Sequence, residues 1–307
     1  MQDDKESYLL LLLSDANLPT GSFVASAGLE STAAHALFRV PGPPGSDILA
    51  FLRSSVDTYA RSALPFARDA HRVAAAYVSG EPPEPDLDAA LVALTKLDAL
   101  YDASTLNHVA RRASCAQGAA LLTLYTRGFT RPALLPSLVA DDDENRAAAL
   151  VAALKLRVRR GEPDAPVGHL PVCWGVLTGA LGLTVGEHPG PVARCADTHT
   201  HTHTHTHTCV YIERGAHLHL FLHARGVLSA AVRMNIVGPY AAQQLLLHAV
   251  RRVVDDALGS TSHLVSGALQ DRLDLECADE RLPATTWPLG EILAARHDLL
   301  HSRIFNS

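Results

Sequence analysis

Residues 198–208 alternate threonine with histidine, placing His199, His201, His203, His205 and His207 at every second position. Imidazoles that are neutral near pH 7 suit borderline divalent ions such as nickel, zinc or copper. An alternating tract would make a flexible, multivalent binder and no defined catalytic centre. Two readings stand: a simple repeat carried in a surface loop, or a metal buffer with a biological purpose. A second group, His217, His219 and His223, lies in the string AHLHLFLH. On a helix His219 and His223 share a face at i, i+4, a spacing that can clamp a metal. No carboxylate or cysteine stands at helical spacing to complete the shell, so satisfied interior or interface histidines are expected there.

Other chemistry has little to stand on. There is no G-x-x-x-x-G-K-[ST] phosphate loop, no GxGxxG after a strand, no G-x-S-x-G elbow and no H-E-x-x-H helix. The five cysteines (Cys115, Cys173, Cys195, Cys209, Cys277) are odd in number and form no CxxC pair, which argues against a disulfide framework and for a reducing compartment. No cofactor of its own and no enzymatic activity are expected.

The elements that must position these residues are helical. The chain has 307 residues, 48% apolar and only 19% charged, below the roughly 25% of an average domain, so burial or apolar interfaces must be extensive. With 26 basic against 32 acidic residues the net charge is −6, and no Lys/Arg block offers a footprint for nucleic acid or an anionic membrane. Apolar positions three and four apart predict helices over 48–77, interrupted near Pro65, and over 86–101, 105–125, 142–159, 171–185, 210–232 and 239–258. Ser46 or Asp47 is the expected cap of the first. Residues 165–186 lack formal charge and imitate a membrane span, but the uninterrupted apolar part is shorter than the ~20 residues a bilayer needs. A buried helix is expected, with Gly175 and Gly179 allowing another helix to approach closely. The acidic start before the Leu run is unlike an export signal, so a cytoplasmic protein is expected. The fold expected is all-α, a single compact helical domain of about eight to ten helices over 1–307. It carries a His/Thr loop at 187–208 and a C-terminal tail at 287–307, partly extended with one short helix.

The strings LLLLLSDANLPTGSF (9–23) and SAGLE (26–30) resemble the opening signature of the UreF family of urease accessory proteins: a Leu-rich helical turn, a Pro-x-Gly-x-Phe turn, then a helix carrying Gly-Leu-Glu. The likeness, closest to a eukaryotic, fungal-like member, continues in register through SALP (62–65), Arg112-Ala113-Ser114 with Gln117-Gly118, GHLPV (168–172) and SAAVR (229–233). Gly238-Pro239 with Gln243-Gln244 completes it. The His/Thr tract is not part of the family pattern.

The resemblance implies a non-catalytic homodimer that bridges a UreD (UreH) scaffold protein and the UreG GTPase on apo-urease, nickel being handled by the complex. A metal-buffering protein acting through the His/Thr tract is the alternative. The candidate partner-binding residues are Pro19, Gly21, Phe23, Glu30, Arg233 and Gln244, with Ile292, Leu299, Leu300, Arg303, Ile304 and Phe305 in the tail. Pro19 and Gly21 would equally serve as a plain turn, and Glu30 as a solvated or paired carboxylate. Arg233, in an apolar helical stretch, must meet either a carboxylate of its own chain or a partner. The tail residues would fill a partner's groove or pack back on their own core.

Overall fold

A 34-residue helix forms the axis of the molecule. In the computed structural model, which describes residues 2–35, 45–80, 86–132, 141–183, 213–269 and 281–307, this helix is α3 (Ser46–Ser79). Before it come α1 (Gln2–Leu13) and the short α2 (Leu29–Ala34); after it come α4 (Leu87–Ser104), α5 (His108–Leu124), α6 (Asp142–Arg160), α7 (Leu170–Ala180) and α8 (Arg214–Arg233). The chain continues with α9 (Pro239–Leu245) and α10 (Arg251–Thr261), joined through a π turn (Leu246–Val250), and ends with α11 (Pro288–Ala295) and a 3-10 turn (Arg296–Leu299). No β-strand occurs among the described residues, and the all-α expectation holds. Residues 187–208, with all five histidines of the tract, lie outside the described residues.

At 1.5 Å per residue α3 is about 50 Å long, so it serves two groups of buried side chains. Its C-terminal half packs with α4 to α7 around Phe66, Leu94, Leu97, Leu121, Leu150 and Trp174. Its N-terminal half packs with α2, α8 and α10 around Leu29, Phe51, Leu52, Leu220, Val227 and Val254. Tyr59 borders both.

The expected break at Pro65 does not occur: α3 runs through it. A proline here removes one i→i−4 hydrogen bond, and the flanking Leu64 and Phe66, both fully buried, hold the backbone in line by tertiary packing. Nor do Ser46 and Asp47 cap α3. Gly45, in the left-handed conformation at φ 92°, occupies that position without a side-chain cap. The apolar stretch that imitates a membrane span is helical only to Ala180, and no helix among the described residues is long and apolar enough to cross a membrane. Its glycines act as expected. A Cβ on Gly175 would lie 2.3 Å from the Ala67 carbonyl oxygen and one on Gly179 2.8 Å from the Ala74 Cβ, so α7 lies directly against α3.

Candidate partner-binding site

The N-terminal signature folds as a turn that receives the C-terminal tail. Gly21 (φ 75°) and Gly28 (φ 81°) adopt left-handed backbone, which glycine enters at no steric cost. Gly28 is doubly constrained, because a Cβ there would stand 2.9 Å from the Ala294 Cβ of α11. The chain then enters α2, which buries Leu29, Glu30, Ser31 and Thr32.

Glu30 is the hub. Its carboxylate accepts hydrogen bonds from the backbone N–H of Ile304 (2.5 Å) and Phe305 (3.1 Å) and from His297 Nε2 (2.9 Å). Three donors satisfy a charge that would be costly to bury alone. The adjoining strands of main chain pair as well, Asn306 N–H donating to the Val24 carbonyl (2.9 Å) and Ser26 N–H to the Ser307 carbonyl (2.5 Å). Ser31 Oγ donates to the Leu293 carbonyl (2.6 Å).

Arg233 reaches the same place from the end of α8. Its guanidinium lies 3.9 Å from the ring centroid of Phe23 and 4.4 Å from that of Phe305, and it donates to the Phe23 carbonyl at 2.6 Å. A planar, weakly hydrated cation between two aromatic faces is a favourable arrangement for Arg specifically. Of the two readings of Arg233, the free chain realises an intramolecular one, through aromatic rings and a carbonyl in place of a carboxylate.

A second cation pins the outer edge of the tail. Arg112 forms a bidentate pair with Asp298 (2.8 and 2.9 Å) and also donates to the Asn306 carbonyl (2.9 Å). Arg303 and His108 approach the same carboxylate at 3.0 and 3.3 Å. The Arg112 hydrogen bonds hold the Asp298 carboxyl far below the usual carboxylate range. Trp287 starts the tail, its ring edge-on to Phe51 at 5.1 Å.

Most of the expected residues therefore come together. Gly21, Phe23, Glu30, Arg233, Arg303, Ile304 and Phe305 share one locus, with Pro19 exposed at its approach. Phe305 is buried and Leu300 half-buried in the free chain, whereas Phe23, Ile292, Leu299 and Ile304 leave 61 to 74% of their surface in solvent. Gln244 stands exposed on α9 and takes no part in the network. His297, Asp298 and Arg112 are the contributors that sequence reasoning missed. Arg112 lies within a quoted motif, yet its partner is 186 residues away, a separation no local pattern reports.

A Ser–His–Asp arrangement appears elsewhere and is closed. His169 Nε2 lies 3.0 Å from Asp102 and Nδ1 3.1 Å from Ser114 Oγ. The His169 ring is fully buried, and Ser114 Oγ also accepts the Leu170 N–H at 3.0 Å. Asp98, equally buried, accepts the N–H groups of Val167, Gly168 and His169 at 2.6 to 3.0 Å. Both sets fix the entry into α7, Ser114 accepting the helix's first N–H and Asp98 those of the three residues before it, and the imidazole is sealed from solvent.

His219 is buried and His223 half-buried, both with partners inside the chain. His219 Nε2 lies 2.9 Å from Tyr59 Oη, and His223 stacks on the Tyr59 ring at 4.2 Å and pairs with Ser55 Oγ at 2.9 Å. Burial pushes His219 down to about 3, His223 adding to the effect, and pushes His223 down to about 4. Among the described residues no three side chains of metal-ligating type stand together.

Comparison with known proteins agrees with this architecture. The UreF family model matches residues 45–188 and 205–250, leaving out 189–204 and with them the first half of the His/Thr tract. The chain is 36% identical to "Urease accessory protein 6" of Cryptococcus neoformans var. grubii over 341 residues, covering 99% of this chain and 98% of that protein. It is 26% identical to the "Uncharacterized urease accessory protein UreF-like" of Schizosaccharomyces pombe, covering 98% and 97%, and 26% identical to "Urease accessory protein F" of Arabidopsis thaliana, covering 96% and 90%.

Proposed function

From its membership of the UreF family of urease accessory proteins, we propose that this chain is a non-catalytic adaptor of nickel-dependent urease maturation, working in the cytoplasm as a homodimer. It bridges a UreD/UreH-type scaffold protein and a UreG-type GTPase on apo-urease. The observation that carries the reading is the union of the N-terminal turn and the C-terminal tail through Glu30 and Arg233, with large apolar side chains left in water around it. Apolar residues on a fixed backbone, rimmed by charged pairs such as Arg112–Asp298, have the make-up of a protein interface: an anchor group with a polar edge. Phe23, Ile292, Leu299 and Ile304 are the anchors for the scaffold protein.

The closed state of the His169 cluster supports a role exercised by surfaces. Nickel in this reading is cargo of the assembly, and the His/Thr tract raises its local concentration near the complex.

Co-expression with the scaffold protein and the GTPase, followed by size exclusion, is the test. The full chain is expected to co-elute with both, and a chain truncated after Trp287 to remain helical while losing the scaffold protein. Full binding by the truncated chain would remove the tail from the interface.

A further inference from the structure

The helix α6 and the end of α5 carry positive charge that the adaptor reading does not use. The helix α5 passes into a π turn at Tyr125–Phe129, closed by the Thr130 N–H to the Tyr125 carbonyl at 3.2 Å. Such turns displace the following side chains from the α-helical register and recur at functional positions. Here the turn sets Thr126 against α6, where Lys155 Nζ donates to Thr126 Oγ1 at 2.7 Å. Arg127 follows on the same turn, and Arg159 stands one helical turn beyond Lys155.

Four neighbouring arginines are paired. Arg131 pairs with Glu144, Arg146 with Asp143, Arg157 with Asp88 and, at 3.9 Å, Arg160 with Glu162. Among the described residues, Arg127, Lys155 and Arg159 have no carboxylate partner; burial pushes the Lys155 ammonium down, and the charges of Arg127 and Arg159 add to it. Like charges at i, i+4 destabilise a helix. The dipole of α6 favours a cation in its last turn, which accounts for Arg159 but not for Lys155, farther in, or Arg127, on another element. Leu156, about half exposed, lies beside Lys155 and one turn before Arg159.

We propose that the face formed by Arg127, Lys155 and Arg159 docks an acidic segment of a protein partner, carrying two or three carboxylates and an apolar residue that covers Leu156. Charge complementarity supplies the pairing that the fold leaves out, and Leu156 supplies apolar contact at its edge. The chain as a whole carries −6, so a long polyanion such as nucleic acid or an anionic bilayer meets repulsion outside this small patch, whereas a short acidic segment touches the patch alone.

The full-length chain titrated with a dye-labelled peptide of mixed glutamate and leucine, read by fluorescence anisotropy, tests this. Binding is expected to weaken as salt rises and to fall by about tenfold or more in the triple variant Arg127→Gln, Lys155→Gln, Arg159→Gln. Neutralising the already paired Arg157 and Arg160 is expected to leave it in place. Equal binding by the triple variant would overturn the proposal, as would tighter retention of oligothymidylate or of phosphatidylserine vesicles through the same three residues. Thermal unfolding gives a second arm: removing one like charge, as in Arg127→Gln, is expected to raise the midpoint. A lowered midpoint would show that the cations serve internal pairing and would sink the assignment.

Discussion

The carboxylate of Glu30 accepts the backbone N–H of Phe305, 275 residues further along the chain. That bond, with those from Ile304 and His297, makes the first helical signature of the sequence the receptor for its last segment.

Replacing Glu30 by Ala is expected to destabilise the chain by about 2–4 kcal/mol, since it strands the buried donors of His297 and Phe305. Urea unfolding measures the loss, and hydrogen exchange locates it: the amides of Ile304 and Phe305 should lose protection before those of α3. If the tail amides stay protected, the carboxylate is not what holds them.

Arg233→Lys keeps the charge but gives up the planar contact with Phe23 and Phe305. A cost of about 1 kcal/mol is expected, with limited proteolysis newly cutting the tail. An unchanged cleavage pattern would mean that the main-chain bonds suffice.

Gly28→Ala should cost about 1–3 kcal/mol from two separate sources, the left-handed backbone and the meeting with Ala294. The double variant with Ala294→Gly removes the second source only, so chemical denaturation should show partial recovery. Complete recovery would place all of the cost in the collision.

Stability should fall with acidification before most carboxylates titrate. Burial lowers His71 to about 4, His219 to about 3 and His223 to about 4, against about 6.5 in an unfolded chain. The unfolded state therefore binds more protons as the pH drops below 6.5, and the neutral native state loses ground until about pH 4, by about 3 kcal/mol per group at the limit. In urea unfolding at several pH values, His219→Gln should flatten this slope. An unaltered slope would assign the acid sensitivity elsewhere.

Deleting 198–208 is expected to lower urease activation when nickel is scarce. Normal activation by the deleted chain under nickel limitation would reject a role for the tract in metal supply.

Much of the fold was legible because helical periodicity is local. The segments around α4, α5, α6 and α8 follow from apolar spacing, whereas their N-caps, such as Asp86 and Asn107, are identified by the structure. Pro65 misled for the opposite reason: its local cost is outweighed by burial of Leu64 and Phe66, which is settled by helices far away in sequence. The site was half legible. Pro19, Gly21, Phe23 and Glu30 mark a special turn by composition, but that Glu30 meets backbone amides and Arg233 meets two rings depends on contacts more than two hundred residues apart. The cationic face on α6 escaped notice because net charge conceals it, and which cations are paired is decided by geometry alone.

The seam between α3 and α7 has a further consequence. Gly175 and Gly179 face Ala67, Ala70 and Ala74 with no room for a methyl group, so any enlargement on one side must be matched by a reduction that glycine can no longer make. Sequence drift along this line is frozen on both helices at once, and homologues that keep the fold should vary on the exposed positions of α3 while leaving these five positions small, α7 itself being buried along its length.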